Sequence, residues 1–117
     1  MAPTLFADST PKMRINREEI FGPVASVIRV KDYDEALVVA NDTEFGLSAG
    51  IATTSLKHAT HFKRYAQAGL VMVNLPTAGV DYHVPFGGRK SSSYGPREQG
   101  HYAREFYTTV KTTYTFA

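Results

Sequence analysis

Four groups of residues in this 117-residue chain have types and spacings that suit chemistry. In Arg17-Glu18-Glu19-Ile20-Phe21-Gly22-Pro23-Val24, two carboxylates precede an aromatic ring, a Gly-Pro break and a β-prone run. A carboxylate can accept two hydroxyl hydrogen bonds, which suits a ribose diol. A ring beside it suits a flat heteroaromatic partner. The simpler reading makes Glu18 and Glu19 solvated loop charges and Phe21 a core anchor, since exposed glutamate is the default. His58 and His61, three apart, share one face of a predicted helix, a spacing that metal ligands use. No carboxylate or third histidine joins them in sequence, which favours a solvated face. Asp81-Tyr82-His83 has the groups for acid–base work, or serves as loop polar groups. Gly87-Gly88-Arg89-Lys90 has the composition of a phosphate-cradling loop but lacks the Walker spacing, and no helix follows directly. Nothing orders a Ser-His-Asp triad.

Composition narrows the classes. The length suits one domain or a piece of a larger one, and the apolar content of 43% supports a real core. The net charge of +2, from 13 basic and 11 acidic side chains, comes without a basic cluster, so no nucleic-acid partner is expected. The chain has no cysteine, which removes disulfides, thiolate metal sites and any cysteine nucleophile from it. No apolar run reaches the ~20 residues needed to span a bilayer, and the N-terminus lacks the plan of a signal peptide. No membrane is expected, and cytoplasm is the default compartment.

The elements that must position these groups are legible from periodicity. Pro3 to Phe6 suits one short strand, broken by Ser9-Thr10-Pro11. Val24 to Val30 is a buried-strand pattern. Asp32 is placed to cap a helix over Tyr33 to Ala40, and Phe45 to Ser48 turns into a second strand, Ala49 to Thr53. Ser55 is placed to cap a helix over Leu56 to Ala68, stopped by Gly69. Leu70 to Asn74 is a third strand. The middle therefore reads β-α-β-α-β, which predicts a parallel sheet. Leu75 to Pro96 is a long loop rich in Gly, Pro and Ser, a kind that is usually functional or disordered. Glu98 to Tyr107 has helical spacing, and Thr108 to Phe116 alternates Val110, Thr112, Tyr114 and Phe116 as an edge strand.

Taken together, these motifs resemble the carboxy-terminal portion of the NAD(P)-dependent aldehyde dehydrogenase superfamily. The pieces are Pro3-Thr4-Leu5-Phe6, Glu18 to Val24, Ala40 to Thr43 with Phe45 to Gly50, Gly69 to Asn74, Pro85 to Lys90 and Arg97 to Gly100, in the family's order over nearly the whole chain. Asn74 to Pro85 most resembles the branch that oxidises 2-oxoglutarate semialdehyde (2,5-dioxopentanoate). The implied fold is α/β: a β-α-β-α-β parallel sheet segment of the catalytic domain, plus a long loop, a helix and a C-terminal oligomerisation strand. The implied division is a partial lead-in segment over 1–17, the β-α-β-α-β unit over 18–74, the substrate loop over 75–97 and the helix and strand over 98–117.

The resemblance also implies roles. In the parent enzyme a cysteine thiolate attacks the aldehyde, hydride passes to the nicotinamide, and a glutamate-activated water cleaves the thioester. Glu19 would hold the nicotinamide ribose and Phe21 would lie against the nicotinamide. Phe86, Asn74 and Val84 would belong to the substrate pocket, and the last strand would pair with a neighbouring subunit, making a homo-oligomer. Ser93 stands where the family has glycine, and Pro96 is added before Arg97-Glu98. The dinucleotide-binding domain, the nucleophile and the general base would lie upstream of Met1. The chain is thus expected to be a truncated or separately expressed part with no catalytic residue of its own. It is expected to be inactive alone, with NAD or NADP bound only in the parent enzyme, alongside a small aldehyde substrate. The alternative is a non-catalytic module that self-associates through its sheet edge.

Overall fold

Helix α1, Tyr33–Asn41, starts where its sequence directs it. The Asp32 carboxylate accepts from the Glu35 N–H at 2.9 Å, and the Glu35 carboxylate reaches back to the Lys31 N–H at 2.7 Å. The first bond satisfies an amide donor that the helix start leaves open, and the second ties down the residue before the cap. Helix α2, Leu56–Tyr65, begins in the same way, with the Ser55 hydroxyl accepting from the His58 N–H. The computed structural model describes residues 2–117. Its strands are β1 (Thr4–Phe6), β2 (Val24–Ser26), β3 (Ser48–Ile51) and β4 (Leu70–Val73), and a last short helix, α3, covers Ala103–Phe106.

The α/β class and the parallel pairing are as the sequence reads, but the strands fall into two small sheets. Strands β3 and β4 pair in parallel from Ser48↔Leu70 to Ile51↔Val73, with α2 as the crossover. Strand β2 pairs with β1 instead, from Thr4↔Val24 to Phe6↔Ser26. Hydrophobic pattern identifies a strand without naming its partner, and β2 finds its partner on the N-terminal side. A polar knot holds that pair. The Ser9 N–H and hydroxyl both donate to the Val27 carbonyl at 3.0 Å. The Asn16 amide donates to the Ser9 hydroxyl and the Thr10 carbonyl, and its oxygen accepts from Ser26. Ser9 is the buried polar residue of this knot.

Four expectations change in detail. Strand β2 stops at Ser26 rather than Val30, and Val27 and Val30 beyond it are exposed rather than buried. Helix α2 ends at Ala66, whose backbone turns extended, three residues before Gly69. Gly69 serves a close approach instead: a Cβ there would lie 1.9 Å from the Gly87 carbonyl oxygen. The helix expected from Glu98 is shorter, because Glu98 forms an antiparallel bridge with Phe86, and Gln99 and Gly100 both take positive φ. A 3-10 turn over Gly100–Tyr102 then leads into α3. Thr108 to Phe116 keeps its alternation but forms no ladder among the described residues, and Val110, Tyr114 and Phe116 are almost fully exposed.

The molecule is long and thinly covered. It measures 72 × 38 × 23 Å, with a radius of gyration of 18.4 Å, where a compact domain of this length has about 13 Å. Its accessible surface is 9430 Å², against roughly 6,300 Å² for a compact protein of this mass. Phe62 on α2 and Ala66 at its C-cap are the buried apolar residues among the described residues. Among the described residues, no helix is long and apolar enough to cross a membrane.

Candidate cofactor and substrate site

The loop between the Arg14–Asn16 turn and β2 presents Glu19 and Phe21. Their neighbours are tied down. Arg14 makes a forked pair with Glu18, at 2.6 and 2.9 Å, and that hydrogen-bonded guanidinium holds the Glu18 carboxyl below its ordinary range. Arg17 donates to both the carbonyl and the carboxylate of Asp42, each at 2.6 Å. Glu19 directly follows these anchored residues and makes no hydrogen bond among the described residues. It borders a cleft of about 470 Å³ shared with Asn41, Thr43, Gly46, Ser91 and Ser92. Phe21 has φ +53° and is 93% exposed. A non-glycine residue in the left-handed region is held there by its surroundings, and here it turns the ring outward. Phe21 is therefore no core anchor of this chain.

The loop after β4 is built by backbone exchange. Phe86 and Glu98 trade N–H···O bonds at 2.7 and 2.8 Å, leaving Phe86 half-buried. Gly87, at φ +153°, leaves room for the stem of Arg97, whose Nη1 is buried without a partner. Val84 is 44% exposed. Asn74, also in the left-handed region, uses its side chain as a clip. Its oxygen accepts from the Thr53 N–H at 2.8 Å and its amide donates to the Thr53 carbonyl at 2.9 Å, fastening the end of β4 to the end of β3. Phe86, Asn74 and Val84 do not border the cleft beside Glu19.

The remaining motifs resolve into structural contacts. The amides of Gly88, Arg89 and Ser91 donate to the Ser93 hydroxyl, the Gly46 carbonyl and the Glu44 carbonyl, so this glycine pair offers no open phosphate cradle. Ser93, at the position where glycine was expected, closes its own loop through that bond. His58 and His61 are not a solvated face. The Tyr33 ring stacks on His58 at 4.3 Å, and its hydroxyl meets His61 Nδ1 at 2.8 Å, joining α1 to α2. No group of three metal-ligating side chains occurs among the described residues. His83 Nδ1 and its backbone N–H both reach Asp81 Oδ1, at 2.6 and 3.0 Å; the backbone bond foremost, then the ring, hold the Asp81 carboxyl low. Sequence reasoning missed Arg17, Asp42 and Lys90 as site neighbours. Lys90 Nζ donates to the Asn41 and Thr43 carbonyls, at 2.7 and 2.8 Å. No motif marks such long-range cation-to-carbonyl bonds.

The order of these parts has a counterpart among known proteins: the model of the aldehyde dehydrogenase family matches residues 1–113. The chain belongs to the aldehyde dehydrogenase family. It is 52% identical over 113 residues to the alpha-ketoglutarate semialdehyde dehydrogenase of Haloferax volcanii, covering 96% of this chain and 23% of that protein. It is 46% identical over 112 residues to the alpha-ketoglutaric semialdehyde dehydrogenase of Bacillus subtilis, with the same coverage. Among solved structures, the indole-3-acetaldehyde dehydrogenase of P. syringae, determined with NAD+, superposes with a TM-score of 0.85 at 42% identity, over 95% of this chain and 22% of that one. The chain thus spans about a quarter of the length of the aldehyde dehydrogenases it matches. In donor chemistry, Glu19 and Phe21 fit a nicotinamide nucleoside. One offers two unengaged carboxylate oxygens, the other a bare ring face.

Proposed function

We propose that this chain supplies the C-terminal part of an aldehyde dehydrogenase catalytic domain, with 1–17 as lead-in, 18–74 as the strand–helix unit, 75–97 as the substrate loop and 98–117 as helix and tail. The complete enzyme oxidises an aldehyde to a carboxylate with NAD or NADP. 2-Oxoglutarate semialdehyde is the favoured substrate, on the strength of the H. volcanii and B. subtilis relatives. When bound, the dinucleotide supplies the hydride acceptor. Glu19 accepts hydrogen bonds from the ribose hydroxyls of its nicotinamide nucleoside, and Phe21 offers its face to the ring. Phe86 and Val84 line the aldehyde pocket, and Asn74 holds the loop that shapes it. The chain contains no cysteine, so it cannot form a thiohemiacetal and has no turnover alone.

The observation that carries this reading is the unengaged Glu19 carboxylate at the cleft, beside the outward Phe21 ring. The thin covering of the molecule supports it too, since a surface this large and apolar calls for covering by further protein. The test grafts residues 1–113 in place of the matching segment of the B. subtilis relative. The graft should oxidise the semialdehyde with a nicotinamide cofactor. Glu19→Gln should raise the KM for cofactor about tenfold, as hydrogen bonds to a charged group are worth about 1.5–3 kcal/mol. An unchanged cofactor KM would overturn the role given to Glu19.

A second reading rests on the tail. Val110, Tyr114 and Phe116 alternate on an extended segment and are 96–100% exposed. Such a segment is suited to adding a strand to another sheet, and a homo-oligomer built this way fits the chain with or without catalysis.

A further inference from the structure

Three consecutive carbonyls at the C-terminal end of α1, from Asn41 to Thr43, are all bound by cations from distant parts of the chain. Lys90 Nζ takes those of Asn41 and Thr43, and Arg17 Nη1 takes that of Asp42. The C-terminal end of a helix carries partial negative charge on unpaired carbonyls, so cations gather there favourably. This end is firmly seated. The Asp42 N–H returns to the Val38 and Val39 carbonyls, while the Asn41 side chain accepts from the Gln67 N–H and donates to the Tyr65 carbonyl at the end of α2. Arg17 therefore grips a fixed point with two bonds, one to the backbone and one to the Asp42 carboxylate. The guanidinium's hydrogen bond, and after it its charge, lower the Asp42 carboxyl, with Lys90 adding a smaller push in the same direction.

Arg17 is two residues from Glu19 and four from Phe21, and the intervening chain has no strand or helix to hold it. Glu19 lines the same cleft as Asn41 and Thr43, on which these cations converge. We infer that Arg17 is a positioning residue: by gripping Asp42 at the end of α1, it sets where Glu19 and Phe21 meet the nicotinamide nucleoside. This rests on the roles proposed above for Glu19 and Phe21. The grip matters because misplacing a binding group by about 1 Å can cost as much as a hundredfold in rate.

The test uses the same graft, with three single variants and two readouts. Arg17→Met should raise the KM for cofactor about tenfold and leave the KM for aldehyde unchanged. Arg17→Lys, which can restore one of the two bonds, should recover part of that loss. In the cofactor-free protein, amide exchange over residues 17–22 should speed up in Arg17→Met while exchange within α2 stays as it was. Arg14→Met, which breaks only the neighbouring pair with Glu18, should change neither readout. The inference fails if Arg17→Met leaves cofactor KM and exchange unaltered, or if both KM values rise together with general loosening. Glu19→Gln separates the two readings. A cofactor KM that responds to Glu19 but not to Arg17 removes this inference alone, and one that responds to neither removes both.

Discussion

The β3–α2–β4 unit is far sparser in β-branched and aromatic residues than the segment after α3, yet only the unit forms a ladder. In the first, β3 and β4 share a parallel ladder, Asn74 clips their ends together, and Phe62 and Ala66 are buried. In the second, Tyr107, Val110, Tyr114 and Phe116 stand exposed without a ladder. The difference lies in where the partner is. A βαβ crossover carries its own pairing strand and the helix that covers it. An edge strand has half of its structure in whatever it pairs with, and nothing among the described residues supplies that half. Pattern alone therefore makes a strand only where the complement is local.

The largest effect should come from breaking the self-sufficient side. Phe62 is 5% exposed, on the face of α2 that covers the β3–β4 pair. Phe62→Ala should destabilise the chain by about 3 kcal/mol, the low end for a buried aromatic because the surrounding cover is thin. Urea unfolding followed by far-ultraviolet dichroism measures it. A loss under about 1 kcal/mol would mean that α2 and its strands are not the stabilising centre of the molecule.

A smaller effect tests how tightly the substrate loop presses on that unit. Gly69→Ala would drive a Cβ to 1.9 Å from the Gly87 carbonyl oxygen and 2.6 Å from Arg97 Nη1. Overpacking against backbone should cost about 2 kcal/mol and move the Phe86 bridge, seen as faster exchange of the Phe86 and Glu98 amides. Gly79→Ala is the comparison. Its φ of +82° strains a side chain, but nothing lies within 4 Å, so it should cost about 1 kcal/mol and leave the bridge intact. Equal exchange at Phe86 in the two variants would show that crowding at Gly69 is not what seats the loop.

What was legible in the sequence follows the same division. The two side-chain caps, Asp32 and Ser55, act on amides three residues away, and the structure has both. Strand β4 follows the apolar, β-branched pattern, and β3 starts within one residue of the expected Ala49. The split of the sheet was not legible, because the pairing of β2 with β1 depends on a knot among Ser9, Asn16 and Ser26 that no periodicity announces. The histidines on α2 read as solvated because their partner, Tyr33, lies 28 positions from His61. At the site, the Glu19 and Phe21 pair stood out by type and by family resemblance, and the structure presents both outward. The cations that hold their loop went unread. Arg17 and Asp42 are 25 residues apart, and Lys90 and Asn41 are 49 apart.

The smallest effect on stability should come from the tail, and there the comparison is at its sharpest. Replacing Val110 and Tyr114 together by Asp removes two exposed apolar side chains, each 96% accessible, from a segment with no ladder to lose. Exposed positions away from packing usually tolerate substitution within about 0.5 kcal/mol, so the unfolding midpoint of the β3–α2–β4 region should hold. Self-association is another matter. Charge on alternate residues of an edge strand opposes strand addition, so the double variant should shift toward monomer in sedimentation or light scattering at concentrations where the parent chain assembles. Two results would break the comparison. A fall in the midpoint would mean that the tail packs on the folded unit after all. An unchanged assembly would mean that its partner is not another copy of this chain, leaving the exposed alternation to serve a different surface.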